Sequence, residues 1–227
     1  MTPKQGCLYI VATPIGNLSD ITLRAIETLK IVDLIACEDT RQSLKLLNRL
    51  SIKKPLISYH QHSKIAKISF IIEKLKAGKK IALITDSGTP AISDPAGLLI
   101  AEARIADFTN IVPIPGPSAL TAAVSVSGMI EKGFYFAGFL PKKKGRQKEI
   151  KFLLSLNKPI VIYESAQRVL KTLNDFKILS DSQTRVFISR EITKVYEEFI
   201  FGNIDEAIKT LSARNLKGEI VLILSPS

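Results

Sequence analysis

Short apolar runs alternate with amphipathic stretches along this chain, and that alternation restricts the fold more than any other feature. Leu8–Ala12, Leu34–Ala36, Leu56–Ser58, Ile81–Thr85 and Ile111–Ile114 read as buried strands. Between them, Leu23, Ile26 and Leu29 (Thr22–Lys30), then Leu44, Leu47 and Leu50 (Ser43–Leu50), recur at helical spacing. So do Ile65, Ile68, Ile72 and Leu75 in a stretch that Gly78 ends, and a further helix is read at Leu98–Ala106. Strands that alternate with helices require crossover connections, so a mainly parallel sheet is expected.

The pattern restarts after Pro113-Ile114-Pro115-Gly116-Pro117. Ser118–Ser125 reads as a helix, Phe134–Gly138 and Ile160–Glu164 as strands with a basic helix between them, and Val169–Phe176 as a helix. Val186–Arg190 and Tyr196–Phe201 are close enough for an antiparallel pair, followed by a helix at Ile204–Ser212 and a last strand at Ile220–Leu224. A length of 227 residues allows one large domain or two compact ones. Two α/β domains are expected, residues 1–115 and 116–227.

The chain carries a formal net charge of +11, which favours polyanionic partners, nucleic acid first among them. Cys7 and Cys37 both lie in apolar runs, so neither a disulfide framework nor a cysteine-rich zinc site is expected, and a reducing cytoplasm is the simpler setting. The apolar run after Met1–Gln5 is too short for a signal-peptide core, and no run approaches the roughly 20 residues that span a bilayer. No contact with a membrane is expected.

Several loops carry polar chemistry. Thr13-Pro14-Ile15-Gly16-Asn17 follows the first strand, at the strand end where parallel sheets collect ligands, but it lacks the dinucleotide fingerprint. Asp86 to Pro95 is long for a strand-to-helix connection and dense in small polar residues. Pro115-Gly116-Pro117-Ser118-Ala119 opens a helix, either as a linker capped by Ser118 or as a ligand-binding turn. Glu38-Asp39-Thr40-Arg41 is either an N-capping ion pair or a group that orients and deprotonates a hydroxyl. His60 and His62 lie two apart, but a metal ion needs a third nearby ligand and none is evident, so no metal is expected. Lys142, Lys143, Lys144, Arg146, Lys148 and Lys151 form the densest basic stretch, a solvated helix start or a phosphate contact, and Phe136 and Phe139 nearby are either core, the preferred reading, or rings that stack on a base. The charged residues of Arg190–Lys194 and Tyr196–Glu198 read equally as a salt-bridge cluster or as part of a cleft.

Taken in order, Val11 to Leu18, Cys37 to Arg41, Asp86 to Pro95, Pro113 to Ala119, Gly138 to Pro141, Tyr163-Glu164-Ser165 and Arg190 to Lys194 resemble one family. It is the bacterial small-subunit ribosomal RNA 2′-O-ribose cytidine methyltransferases, a branch of the tetrapyrrole methylase superfamily. The resemblance runs from about Leu8 to Leu224. It implies two α/β domains with S-adenosylmethionine in a cleft between them, a homodimer, and ribosomal RNA or the small ribosomal subunit as partner. It places Thr13, Pro14, Gly16, Gly88, Thr89, Pro90, Ile92, Ser93, Ser118, Ala119 and Tyr163 around the donor, with residues near Glu191 and Gly218 as further neighbours. Glu38, Asp39 and Arg41 are the candidates on the acceptor side, with a carboxylate taking the proton of the ribose hydroxyl and Arg41 holding a phosphate.

The chain departs from the family pattern at Ala96, where glycine is usual, at Ala166-Gln167, where Pro-His is usual, and at Ser63, where asparagine is common. Family members often continue beyond the position of Ser227 with a small helical segment, which bears on RNA affinity rather than on the donor site. Two other functions fit the same residues: methylation of a tetrapyrrole or protein acceptor, and a non-catalytic RNA-binding assembly factor.

Overall fold

The computed structural model describes residues 6–59, 65–180 and 184–225. The chain divides into two compact units, Met1–Ser118 and Ala119–Ser227.

The first unit runs β1 (Cys7–Val11), α1 (Leu23–Ile31), β2 (Leu34–Cys37), α2 (Thr40–Arg49), β3 (Leu56–Ser58), α3 (Ile65–Lys76), β4 (Lys80–Leu83), α4 (Ala96–Ile105) and β5 (Ile111–Ile114). Its strands are all parallel in the order β3-β2-β4-β1-β5. Helices cover both faces, which is why the strands are apolar throughout rather than alternating. Leu8, Ala36, Ile81 and Leu83 pack with α3 and α4 on one face. Val11, Ile35, Cys37, Ala82 and Ile84 pack with α1 and α2 on the other. Pro113 lies exposed in β5, an edge strand, where its missing N–H interrupts no ladder.

The second unit runs α5 (Ala119–Ser127), β6 (Tyr135–Phe139), α6 (Arg146–Ser155), β7 (Ile160–Ser165), α7 (Ala166–Leu179), β8 (Arg185–Arg190), β9 (Glu198–Asn203), α8 (Ile204–Ser212) and β10 (Glu219–Ser225). Its sheet order is β6-β7-β10-β8-β9. The expectation of mainly parallel strands fails here. Only β6 and β7 are parallel, while β10 runs antiparallel to both β7 and β8. The continuous apolar run Ile220–Leu224 takes the central position, where both faces are buried. The expected β8–β9 antiparallel pair is present, with Arg190 opposite Glu198. Helices α6, α7 and α8 share one core with the sheet, centred on Ile150, Leu153, Leu173, Phe176 and Leu211.

Element ends differ from the sequence reading where side chains cap them. Helix α2 starts at Thr40, ahead of the first apolar position, because Asp39 Oδ1 accepts from the Arg41 N–H at 2.8 Å. Strand β9 starts at Glu198 rather than Tyr196, and Val195 and Tyr196 are exposed before it.

Candidate functional site

In the first unit β1 leads to α1 on one face and its neighbour β4 leads to α4 on the other. Adjacent strands whose connections diverge open a crevice at their carboxyl ends, the preferred ligand site of such sheets. Two loops meet across it. The Thr13 N–H donates to Gly88 O at 2.9 Å, and the Gly88 N–H returns to Thr13 O at 3.1 Å. The buried Thr13 hydroxyl donates to Thr85 O at 3.1 Å. Thr13 therefore joins the two loops, and its side chain is turned inward. Pro14 is half-buried and Gly16 exposed.

The Asp86–Pro95 loop is shaped by backbone turned into the left-handed region. Gly88 has φ +84°, and a Cβ there would also lie 3.4 Å from Ile15 Cγ2. Ala91 and Ser93 reach φ 70° and 63°, a conformation disfavoured for L residues. Asp94 compensates locally: its Oδ1 accepts from the Ala91 N–H at 2.9 Å and the Ala96 N–H at 2.7 Å. Asp94 Oδ2 stays buried, with no hydrogen-bond partner among the described residues. Ala96, at a family-glycine position, is the buried first residue of α4. Ile92 and Ser93 are exposed at the loop's tip, Pro90 is buried, and Thr89 Oγ1 donates to Pro117 O at 3.1 Å. That bond ties in the Pro115–Ser118 turn, where a Cβ on Gly116 would come 3.0 Å from Ala12 Cβ.

Three carboxylates gather where β2 and β4 end side by side. Glu38 Oε2 accepts from the Thr85 hydroxyl at 3.2 Å. Asp86 Oδ1 accepts from the Asp39 N–H at 3.1 Å. Asp39 forms a two-point ion pair with Arg41, at 2.6 Å to Nη2 and 3.1 Å to Nε. The Arg41 hydrogen bonds hold the Asp39 carboxyl down to about 2. Asp86 moves the other way: desolvation, and then the charge of Asp39, raise it above the ordinary carboxylate range. Asp39 is thus a helix cap and a poor proton acceptor, and Asp86 holds a proton more readily than it does. Because its folded value is depressed, the Asp39 contribution to capping is present above the ordinary value and lost as pH falls through about 2. A carboxyl-detected NMR titration of Asp39 should show that midpoint, and a midpoint near 4, the ordinary carboxylate value, would remove the ion pair from the account.

The sequence reading assigned Asp86 no role of its own. Its partner Asp39 is 47 residues away, and only the β2–β4 pairing brings the two together. A detectable signal was the repeat of an acidic residue just beyond each of two buried strands.

In the second unit Ala119 begins α5, and the next N–H, of Leu120, donates to the Tyr163 hydroxyl at 3.1 Å, bringing those two candidates together. Phe136 and Phe139 pack edge-on against Tyr163, but Phe139 is 58% exposed and is not the core residue expected. Arg146 departs further from expectation: it is buried, ion-paired to Asp175 at 2.7 Å, and unavailable to a phosphate. Glu191 and Gly218 do meet. Gly218 sits at φ +102° against the Glu191 carboxyl, which binds Lys194 at 2.8 Å and the Glu219 N–H at 2.9 Å. Arg190 pairs with Glu198 at 3.1 Å, so this charged segment is a salt-bridge cluster. His60, His62 and Ser63 lie outside the described residues. Among those described, no three His, Cys, Asp or Glu side chains are grouped to hold a metal ion, and no helix is long and apolar enough to cross a membrane.

This chain belongs to the tetrapyrrole (corrin/porphyrin) methylase family, whose model matches residues 7–208. Within that family its relatives include proteins called ribosomal RNA small subunit methyltransferase I. The one from Thermotoga maritima is 47% identical over 222 residues, 97% of this chain and 99% of its own length. The one from Bacillus subtilis is 45% identical over 229 residues, covering 98% of this chain and 76% of the relative. Among solved structures, uroporphyrin-III C-methyl transferase from Thermus thermophilus complexed with S-adenyl homocysteine superimposes with a TM-score of 0.68 at 15% identity, over 97% of each chain. That likeness establishes the two-domain fold.

Proposed function

We propose that this protein transfers the methyl group of S-adenosylmethionine to the 2′-hydroxyl of a cytidine ribose in small-subunit ribosomal RNA. The observation that carries this reading is the 47% identity, across nearly the whole of both chains, to a protein named for that class of substrate. The net charge of +11 supports a polyanionic acceptor.

The chemistry of the crevice suits the donor. Exposed Ile92 offers an apolar face, Ser93 a hydroxyl, and the buried Asp94 Oδ2, without a hydrogen-bond partner among the described residues, an acceptor for a donor amine or hydroxyl. Pro14, Gly16, Gly88, Thr89, Pro90, Ile92, Ser93 and Ser118 are the residues of the first unit that would hold it. When bound, it supplies a methyl carbon already activated by the sulfonium. Glu38 and Asp86 are the acceptor-side bases, either able to take the proton as the hydroxyl oxygen attacks. Arg41, whose side chain is 85% exposed, has donors to spare for a neighbouring phosphate while it holds Asp39. Alignment of the two reactants supplies much of the remaining acceleration.

Gly88→Ala tests the loop. Its left-handed backbone costs an alanine about 1–2 kcal/mol, so donor affinity should fall severalfold in calorimetry. Unchanged affinity would detach this loop from the donor. A homodimer in the cytoplasm belongs to the same reading. The buried free thiols of Cys7 and Cys37 fit a reducing compartment, and exposed Phe199 and Phe201 on the edge strand β9 offer an apolar face for a second copy. The direct test of the function is transfer of labelled methyl to small ribosomal subunits lacking the modification, run beside tetrapyrrole and protein acceptors. Label in RNA supports the reading, and label only in another acceptor overturns it.

A further inference from the structure

We propose that Phe139, Lys142, Lys143 and Lys144 form a preset RNA-gripping patch on the second unit, with a base stacking on the Phe139 ring and phosphates lying along the three lysines. The proposal rests on the RNA reading above and adds the surface by which the substrate is held.

The patch sits at the carboxyl ends of the parallel pair β6 and β7. Phe139 is the last residue of β6, and its ring stands edge-on to Tyr163 at 5.6 Å between centroids and 61° between planes. That contact fixes one edge of the ring while 58% of the residue stays open to solvent. A fixed aromatic ring with an open face is what a nucleotide base stacks on, whatever its identity.

Three residues further on come Lys142, Lys143 and Lys144, all exposed and, among the described residues, without an ion-pair partner. The only carboxylate between Phe134 and Phe152 is Glu149, against the exposed lysines 142, 143, 144, 148 and 151. A local excess of unpaired cations beside an exposed ring matches the mixed charge and π character of single-stranded RNA.

The turn that carries the lysines is held from inside. Arg168 Nη2 donates to Leu140 O at 2.7 Å, and Arg146 Nη1 donates to Pro141 O at 3.2 Å. Both guanidiniums are themselves anchored. Arg146 binds Asp175 at 2.7 Å and the Thr172 hydroxyl at 2.8 Å, and Arg168 binds the buried Glu164 at 3.2 Å. Thr172 closes the network by donating to Glu164 at 2.7 Å. The basic run therefore divides its labour: Arg146 points inward and fixes the Pro141 carbonyl, Arg168 fixes that of Leu140, and the lysines on either side of Arg146 are left to bind. A turn ordered in advance loses less conformational freedom when it takes up a ligand.

The test compares the full-length protein with a triple variant (Lys142→Ser, Lys143→Ser, Lys144→Ser), with Phe139→Leu, and with Phe139→Trp. Affinity for a single-stranded oligoribonucleotide is measured across salt concentrations, along with KM for unmodified small subunits, donor affinity and melting temperature. The triple variant should bind the oligonucleotide at least tenfold more weakly and lower the slope of log affinity against log salt by about 2, from three contacts at roughly 0.7 each. Phe139→Leu should weaken binding by about tenfold without changing that slope, and Phe139→Trp should keep wild-type affinity. KM for subunits should rise in step, with donor affinity and melting temperature unchanged. Wild-type affinity and slope in the triple variant, while the wild-type enzyme methylates RNA, would overturn the patch alone. A wild-type protein that binds and methylates no RNA would overturn the functional reading, and the patch with it.

Discussion

Glu38→Gln is expected to lower the rate of methyl transfer by about 10²-fold or more while leaving donor affinity where it was. The side chain keeps its shape, and the Thr85 hydroxyl keeps an oxygen to donate to. The negative charge and the capacity to take a proton go. Asp39→Asn should behave differently, because that carboxyl is already committed to Arg41 and to the first turn of α2. Its cost should appear in stability and hardly in turnover. With Asp86 as the second acceptor proposed above, Glu38→Gln combined with Asp86→Asn should fall well below either single variant. Since desolvation raises Asp86, its share of the activity should fade on the acid side at a pH above the ordinary carboxylate range. Single-turnover kinetics with saturating donor measure these effects directly. Equal turnover in wild type and the double variant would remove both groups from the chemistry.

Arg146→Ala should lower the stability of the second unit by about 3 kcal/mol or more. Its side chain is 5% exposed, and its removal leaves Asp175 facing no cation at 2.7 Å and takes a partner from Thr172. It also frees the Pro141 carbonyl, so the turn that presents Lys142–Lys144 loses one of its two anchors. The charge left unpaired causes most of the loss. Replacing both partners together, Arg146→Met with Asp175→Leu, should therefore restore much of it. Urea denaturation followed by hydrogen exchange in β7 and α7 reports on this unit. A loss below about 1 kcal/mol for the single variant would mean that the network is not a stabilising feature.

The first unit was largely legible from its sequence because its inner strands β1, β2 and β4 are largely buried and every connection is a helix. Apolar runs and helical spacing then carry the whole topology apart from strand order. The second unit was less so. Its central strands β7 and β10 are apolar runs, but nothing local tells that β10 will enter between β7 and β8 against the direction of both. Site residues followed the same divide. The loops beyond β1 and β4 were visible as Pro-, Gly- and Asp-rich segments, whereas the inward turn of Thr13, the pairing of Glu38 with Thr85 and the approach of Asp86 to Asp39 depend on which strands are neighbours. Arg146 was misread for a related reason. Within its own run it is one more cation, and its partners Thr172 and Asp175 are 26 and 29 residues further on, on α7.

The two ion pairs at the end of β8 illustrate a further gap between pattern and position. Arg190 and Glu198 are eight residues apart in the chain but opposite each other across the β8–β9 pair, where Arg214 also reaches Glu198. The same carboxylate serves two guanidiniums, which lower it below its ordinary value, with Arg214 the larger influence.

Small ribosomal subunits lacking the modification should be incubated with methyl-labelled S-adenosylmethionine and this protein, and their RNA digested to nucleosides. The label is expected in 2′-O-methylcytidine, absent when Glu38→Gln and Asp86→Asn are combined. Label on a base, on another nucleoside, or on no RNA at all despite measurable donor binding would contradict the account.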